Sequence, residues 1–140
     1  MRIVPAMTSF EPGRAETRTI SVAAAPAQVV DYLADPRHIP DWAPDFATVV
    51  THEHDNVWRV GTGADARRIL VRVAPEQGVV DVVSADAPNL GLFTRVLPNL
   101  TGAELIFSLF FPADTDPQAV AAQLAVVDRE LRAVREQVEA

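Results

Sequence analysis

The chain has 140 residues, of which 49% are hydrophobic and 22% are charged, so it suits one globular domain and excludes bulk disorder. The formal net charge is −7, all 12 basic residues are arginines, and only Arg67 and Arg68 are adjacent, which makes nucleic acid an unfavourable partner. Cysteine is absent, which removes disulfides, thiol catalysis and cysteine-ligated metals.

The N-terminal third predicts an arm, one strand and two short helices. Residues 1–14 are expected to form a loose arm before a single domain that spans residues 15–140. Residues 15–23 alternate between polar and apolar side chains, which predicts a half-buried strand. Pro26 is a favourable first residue of a helix, and Pro36 ends that helix because the residue before a proline avoids the α region. A second short helix or turn is expected in the proline-rich residues 37–46.

The sequence contains no apolar run of about 18 residues, so no membrane span is expected. Its first residues are interrupted by Pro5 and Pro12 and lack the continuous apolar segment of a secretory signal. We therefore expect a cytoplasmic protein.

From Phe46 onwards, apolar residues recur at every second position, which predicts antiparallel strands. The expected strands cover residues 46–54, 56–60, 64–73, 79–85, 90–98 and 103–111. A hairpin turn at residues 99–102 should pair the last two of them.

The C-terminal residues predict one long helix that starts at Asp116-Pro117 and runs to about Val138. Its apolar residues are spaced alternately by four and three positions and form one stripe: Val120, Leu124, Val127, Leu131, Val134 and Val138. Only the sheet is available to cover this stripe. A run of strands followed by a helix favours an α+β fold.

This order of elements resembles the helix-grip superfamily of polyketide cyclases/dehydrases, START-like lipid-transfer domains and birch-pollen-allergen-like proteins. The likeness rests on residues 20–46, residues 94–112 and the helix from Asp116, and small bacterial members of unassigned function are the most similar. It implies a curved antiparallel sheet of about six or seven strands wrapped around the long helix. It also implies an apolar cavity between sheet and helix, with the two short helices at its mouth.

The strand pattern assigns side chains to the concave face that would line this cavity. The predicted lining residues from the strands are Trp58, Ile69, Val71, Val82, Thr94, Val96, Phe107 and Leu109. Leu124 joins them from the apolar stripe of the long helix, and the resemblance places Trp42 at the mouth of the cavity. The face of Trp58 is left open, because a bulge in residues 61–65 would reverse it. Trp42 is either a plug of the core or a ligand contact. Asp45 could serve as a general base if it were desolvated.

Other polar residues have competing interpretations. Arg95 could anchor a ligand carboxylate, but the strand pattern favours an outer-face ladder with Arg72, Asp81 and Glu104. His52 and His54 have the spacing of metal ligands on a strand, but no third ligand is evident, so no metal is expected. No nucleophile elbow, phosphate loop or dinucleotide fingerprint is present, so no cofactor is expected.

The favoured function is the binding of a small hydrophobic or aromatic molecule in the cavity. One alternative is an enzyme of polyketide-cyclase or aromatase type, and another is a non-enzymatic interaction domain like the co-chaperone relatives. No catalytic residue is assigned.

The strand pattern also places four large apolar residues together on the outer face: Phe93, Leu97, Ile106 and Phe110. We expect this patch to mediate a homodimer. Two alternatives stay open. The arm could cover the patch with Ile3, Val4, Met7 and Phe10, or the register could be displaced by one residue.

Overall fold

A computed structural model describes residues 10–140, and the predicted order of elements is confirmed. The helices are α1 (Pro26–Ala34), α2 (Ile39–Trp42) and α3 (Pro117–Glu139). The strands are β1 (Arg14–Val22), β2 (Val50–His54), β3 (Val57–Val60), β4 (Arg67–Ala74), β5 (Val79–Ser84), β6 (Gly91–Asn99) and β7 (Gly102–Phe111). Single 3-10 turns cover Pro36–His38, Gly63–Asp65 and Pro75–Gln77.

Three predicted boundaries need correction. The strand predicted from residue 64 begins only at Arg67, because Gly63–Asp65 forms a 3-10 turn. Arg14 already belongs to β1, and residues 1–9 of the predicted arm lie outside the described residues. The strand predicted from Phe46 begins only at Val50, because Ala43 closes a turn after α2: the amides of Phe46 and Ala47 both donate to its carbonyl, at 3.0 and 3.1 Å. Residues 43–47 therefore form a turn and do not belong to the sheet.

The strands form one curved antiparallel sheet in the order β1-β7-β6-β5-β4-β3-β2. The helix α3 begins at Asp116, whose carboxylate accepts a hydrogen bond from the amide of Gln118 at 2.9 Å. It packs against β1 and β7 and against the short helices α1 and α2. The chain therefore has the predicted α+β helix-grip architecture.

The register of the final hairpin matches the prediction. Thr94 pairs with Phe107 and Val96 with Leu105, and the side chains of Leu105 and Phe107 are fully buried on the concave face. The same register places Arg95 on the outer face, where its guanidinium donates to the carbonyl of Gln77 at 3.2 Å. Arg95 therefore cannot reach a ligand on the concave side.

The core lies between the concave face and the helices. Val29, Val30 and Leu33 of α1 and Leu131 of α3 are each at most 3% exposed and belong to the same apolar cluster as the sheet residues. The strand β3 contributes Trp58, which pairs with Ile69 across β3 and β4 and therefore faces the core.

Within residues 10–140, no helix combines the length and apolarity needed to cross a membrane.

Candidate functional site

One end of the concave face is left open and forms a cavity of about 1040 Å³. Its walls come from α2 and the following turn, from β3, β4, β5, β6 and β7, and from one side of α3. The apolar part of the lining includes Ile39, Trp42, Ile69, Val82, Leu92 and Leu109. A volume of this size is in the range of small-molecule sites.

Four of the ten predicted lining residues border the cavity: Trp42, Ile69, Val82 and Leu109. Another five are buried in the closed part of the core: Val71, Thr94, Val96, Phe107 and Leu124. Trp58 is half-buried against the core and lies beside His52, with ring centroids 4.7 Å apart. The difference has a structural reason, because α1 packs against β5, β6 and β7 and fills that part of the concavity.

Trp42 is both a core residue and a wall of the cavity. Its side chain is 4% exposed, and its ring packs on Phe107 at a centroid distance of 5.8 Å. Its indole Nε1 is buried, and no group within residues 10–140 accepts a hydrogen bond from it. Buried donors without a partner are uncommon, so this indole N–H is a cost of burying Trp42 in the core.

Glu130 is the functional candidate that the sequence interpretation missed. It lies on α3 with Gln123 and Val126 at helical spacing, and all three border the cavity. Only 9% of its surface is exposed, and no described residue donates a hydrogen bond to its carboxyl group. Burial raises the pKa of Glu130 from 4.5 to about 7, and the charge of Asp45 adds to this shift while Arg129 opposes it.

Asp45 is not the desolvated base that the sequence interpretation considered. Its side chain is 58% exposed and forms an ion pair with Arg129 of α3, at 2.8 Å. On the other side of the same turn, Arg67 of β4 lies 5.0 Å from the ring centre of Phe46 and donates to the carbonyl of Phe46 at 3.2 Å. These two contacts hold the turn of residues 43–47 across the mouth of the cavity.

The histidine pair does not form a joint site. The pairing of β2 with β3 shifts between His52 and His54, so the regular alternation that would align them is interrupted. His52 Nε2 is hydrogen-bonded to the carbonyl of Asp55 at 2.8 Å. In the described part of the chain, no group of three His, Cys, Asp or Glu side chains could hold a metal ion.

Known structures with this architecture cover nearly the whole chain at low sequence identity. An uncharacterized protein from Bacillus thuringiensis is 14% identical, with a TM-score of 0.70, over 91% of this chain and 100% of that one. The Aha1 dimer from Colwellia psychrerythraea is 12% identical, with a TM-score of 0.66, over 90% and 96%. The Zhui aromatase/cyclase from Streptomyces sp. R1128 is 19% identical, with a TM-score of 0.58, over 90% and 93%.

No protein-family model matches the sequence, and no curated protein is significantly similar to it. At these identities the structural likeness establishes the fold and leaves the activity open. The chain is a protein of the helix-grip fold.

Proposed function

We propose that this protein binds a small molecule with a hydrophobic or aromatic body in the cavity between the sheet, α2 and α3. The observation that supports this function is the cavity itself, about 1040 Å³ in volume, with Trp42, Ile69 and Leu109 in its wall. The wall also carries charged side chains, but burial of a ligand's apolar surface against its apolar part would provide much of the affinity.

Binding can be tested with Nile red, an uncharged dye whose emission changes in apolar surroundings. We expect one dye per protein, and Leu109→Trp should weaken binding because the larger side chain fills the cavity. Leu97→Trp is the matched control, since Leu97 is a leucine on the outer face and 39% exposed. If Leu97→Trp weakened binding and Leu109→Trp did not, the dye would lie on the outer face and the proposal would fail.

A second candidate function is catalysis of polyketide-cyclase type, for which Glu130 would be the acid–base group. A carboxyl with a pKa of about 7 can both donate and accept a proton at neutral pH. The aromatase/cyclase among the similar structures makes this reaction class worth testing. A linear poly-β-carbonyl chain should then cyclise in the presence of the protein, as followed by absorbance, and Glu130→Gln should abolish the acceleration. The collapsed interior expected of an interaction domain is not favoured, because the cavity is open.

The apolar patch on the outer face is proposed to mediate a homodimer. Phe93 and Phe110 contact each other there edge to face, with ring centroids 5.7 Å apart, and Phe110 is 55% exposed. The Aha1 structure among the similar proteins is a dimer, which agrees with self-association of this architecture.

A further inference from the structure

The charged side chains around the cavity differ in their pairing and burial, and each arginine of the wall contacts another group of the protein. Glu53 lies 2.9 Å from Arg68 and 3.8 Å from Arg59. Arg67 is held by the ring and the carbonyl of Phe46. The three arginines are exposed to water, so none of them carries the cost of an unpaired buried charge.

Two of the three acidic side chains of the cavity wall have no partner among the described residues. Asp45 has its partner in Arg129, but neither Asp86 nor Glu130 forms an ion pair or a side-chain hydrogen bond within residues 10–140. Asp86 lies at the exposed rim, whereas Glu130 lies inside and is 9% exposed. Within residues 10–140, Glu130 is thus the one charged residue of the wall that is both buried and without an ion-pair or hydrogen-bond partner.

A buried carboxylate without a partner is costly, because it has lost water and gained no hydrogen bond. A cation placed beside the carboxylate would offset this unfavourable free energy. The attraction between the two charges is stronger in the cavity than in water because the surroundings are less polar. The net charge of −7 would in addition raise the local concentration of cations around the protein.

We propose that the ligand of the cavity is an apolar or aromatic amine, whose ammonium group pairs with the carboxylate of Glu130 while its body packs on Trp42, Ile69 and Leu109. This inference rests on the proposed binding function and narrows it to one chemical class. It differs from the proposed catalytic role, in which Glu130 would exchange a proton with the substrate.

Proton exchange at Glu130 makes the proposal testable by pH. The charged groups that face Glu130 are Asp45 of the turn, which raises its pKa, and Arg129 of α3, which lowers it. Across the cavity lie Arg59 of β3, Arg67 and Arg68 of β4, and Asp86 after β5. The ammonium should bind only the ionised form of Glu130. Its affinity should therefore rise about 30-fold between about pH 5.5 and about pH 8, as a carboxyl with a pKa of about 7 loses its proton.

The probes are 2-(1-naphthyl)ethylamine and the uncharged 2-(1-naphthyl)ethanol, which share one aromatic body and differ only in the terminal group. Binding is measured by isothermal titration calorimetry at both pH values. The amine should bind more tightly than the alcohol at about pH 8 and should show the rise with pH. The alcohol's affinity should change by less than about threefold, because it brings no charge to pair with the carboxylate.

Glu130→Gln keeps the shape of the side chain and removes its charge. In this variant the amine should lose at least about 30-fold in affinity at about pH 8 and should no longer respond to pH, whereas the alcohol should bind as before. Glu130→Leu provides the same comparison if the glutamine variant folds poorly, and circular dichroism checks both. Carbon-13 NMR of the Glu130 carboxyl gives an independent measurement, since the amine should lower its pKa on binding.

Two results would overturn the inference. If the alcohol bound at least as tightly as the amine at about pH 8, or if affinity for the amine fell as pH rose, Glu130 would favour an uncharged hydrogen-bond acceptor. In that case cavity binding would stand and only the amine class would be wrong. If neither probe bound and Nile red also failed to bind, the proposed function would be wrong as well.

Discussion

Glu130 should couple the stability of the protein to pH. Its pKa is raised on folding, from 4.5 to about 7, so the folded state holds a proton that the unfolded state releases between these values. The free energy of unfolding should therefore fall as pH rises from about 4.5 to about 7, by about 3 kcal/mol in total, and should change little further above this range through this group.

Glu130→Gln should remove this dependence. At about pH 8 the variant should be more stable than the parent by about 2–3 kcal/mol, because the parent then holds a buried carboxylate, and at about pH 5 the two should be nearly equal. Urea unfolding at both pH values measures this. Glu136→Gln, an exposed acid on the same helix, is the control and should change stability little at either pH. Equal stability of Glu130→Gln and the parent at about pH 8 would contradict the raised pKa.

Leu131 tests the packing of α3. It is 2% exposed and lies in the cluster that joins α3 to the sheet. Leu131→Ala should lower the free energy of unfolding by about 2–5 kcal/mol, the usual range for a core leucine. A loss below about 1 kcal/mol in urea unfolding would contradict tight packing at this position.

At the scale of residues, sequence alone located part of the site. Alternation in β4 and β7 placed Ile69 and Leu109 on the correct face, since the period of a strand is fixed by its geometry. Glu130 was missed because it lies at the edge of the apolar stripe of α3, where a charged residue usually reaches solvent. A signal was present, because Val126 and Glu130 continue the helical spacing beside Val127 and Leu131.

Among the elements, the hairpin between β6 and β7 carries a local strain that can be relieved. Leu100 is the first residue of its two-residue turn, has a φ of +51° and is 97% exposed. A side chain in this region of φ is unfavourable, and exposure gives Leu100 no compensating contact. Leu100→Gly should therefore raise the free energy of unfolding by roughly 0.5–1 kcal/mol, after the entropic cost of glycine.

Leu100→Ala separates backbone strain from the removal of an exposed apolar side chain. Alanine keeps a Cβ and hence the strain, so it should give no gain. Thermal unfolding of both variants makes the comparison. If alanine stabilised the protein as much as glycine, the effect would come from the side chain and not from the backbone.

Alternation of apolar residues was enough to predict that each strand exists, but it did not predict where β2 starts. Phe46 continues the apolar pattern of β2, yet it belongs to the turn that Ala43 closes with two hydrogen bonds. Its ring is used at the mouth of the cavity, where Arg67 lies against it. Tertiary contacts of this kind override a local pattern, because they join residues from distant parts of the chain.

For the whole molecule, the fold followed from the order of elements, whereas the position of the cavity did not. The sequence predicts that sheet and α3 enclose an apolar space, but it gives no measure of how far α1 enters it. Val29, Val30 and Leu33 fill the concavity over β5–β7, so Phe107 and Val96 became core and the cavity remained near α2. Such a division depends on the relative positions of helices and sheet, which no local pattern encodes.

The apolar patch on the outer face of the sheet, near the hairpin between β6 and β7, predicts that the protein forms a homodimer in solution. The observed register of β6 with β7 places all four residues on this face: Phe93, Leu97, Ile106 and Phe110. The alternative that the register is displaced by one residue is therefore wrong. Phe110 is 55% and Leu97 39% exposed, and exposed apolar patches of this kind commonly mark partner surfaces. The arm alternative falls mostly on residues outside those described, although Phe10 is 94% exposed.

Static light scattering at about 100 μM should give a dimer mass. Phe110→Asp should yield a monomer with an unchanged circular dichroism spectrum, because a buried carboxylate facing an apolar partner costs several kcal/mol. Leu90→Asp is the control, since Leu90 is 58% exposed and lies outside the patch, and it should remain dimeric. Deleting residues 1–9 decides about the arm. If the parent were monomeric and the shortened chain dimerised, the arm would be what covers the patch in the parent. If both were monomeric, neither the arm nor a second copy of the chain would cover the patch.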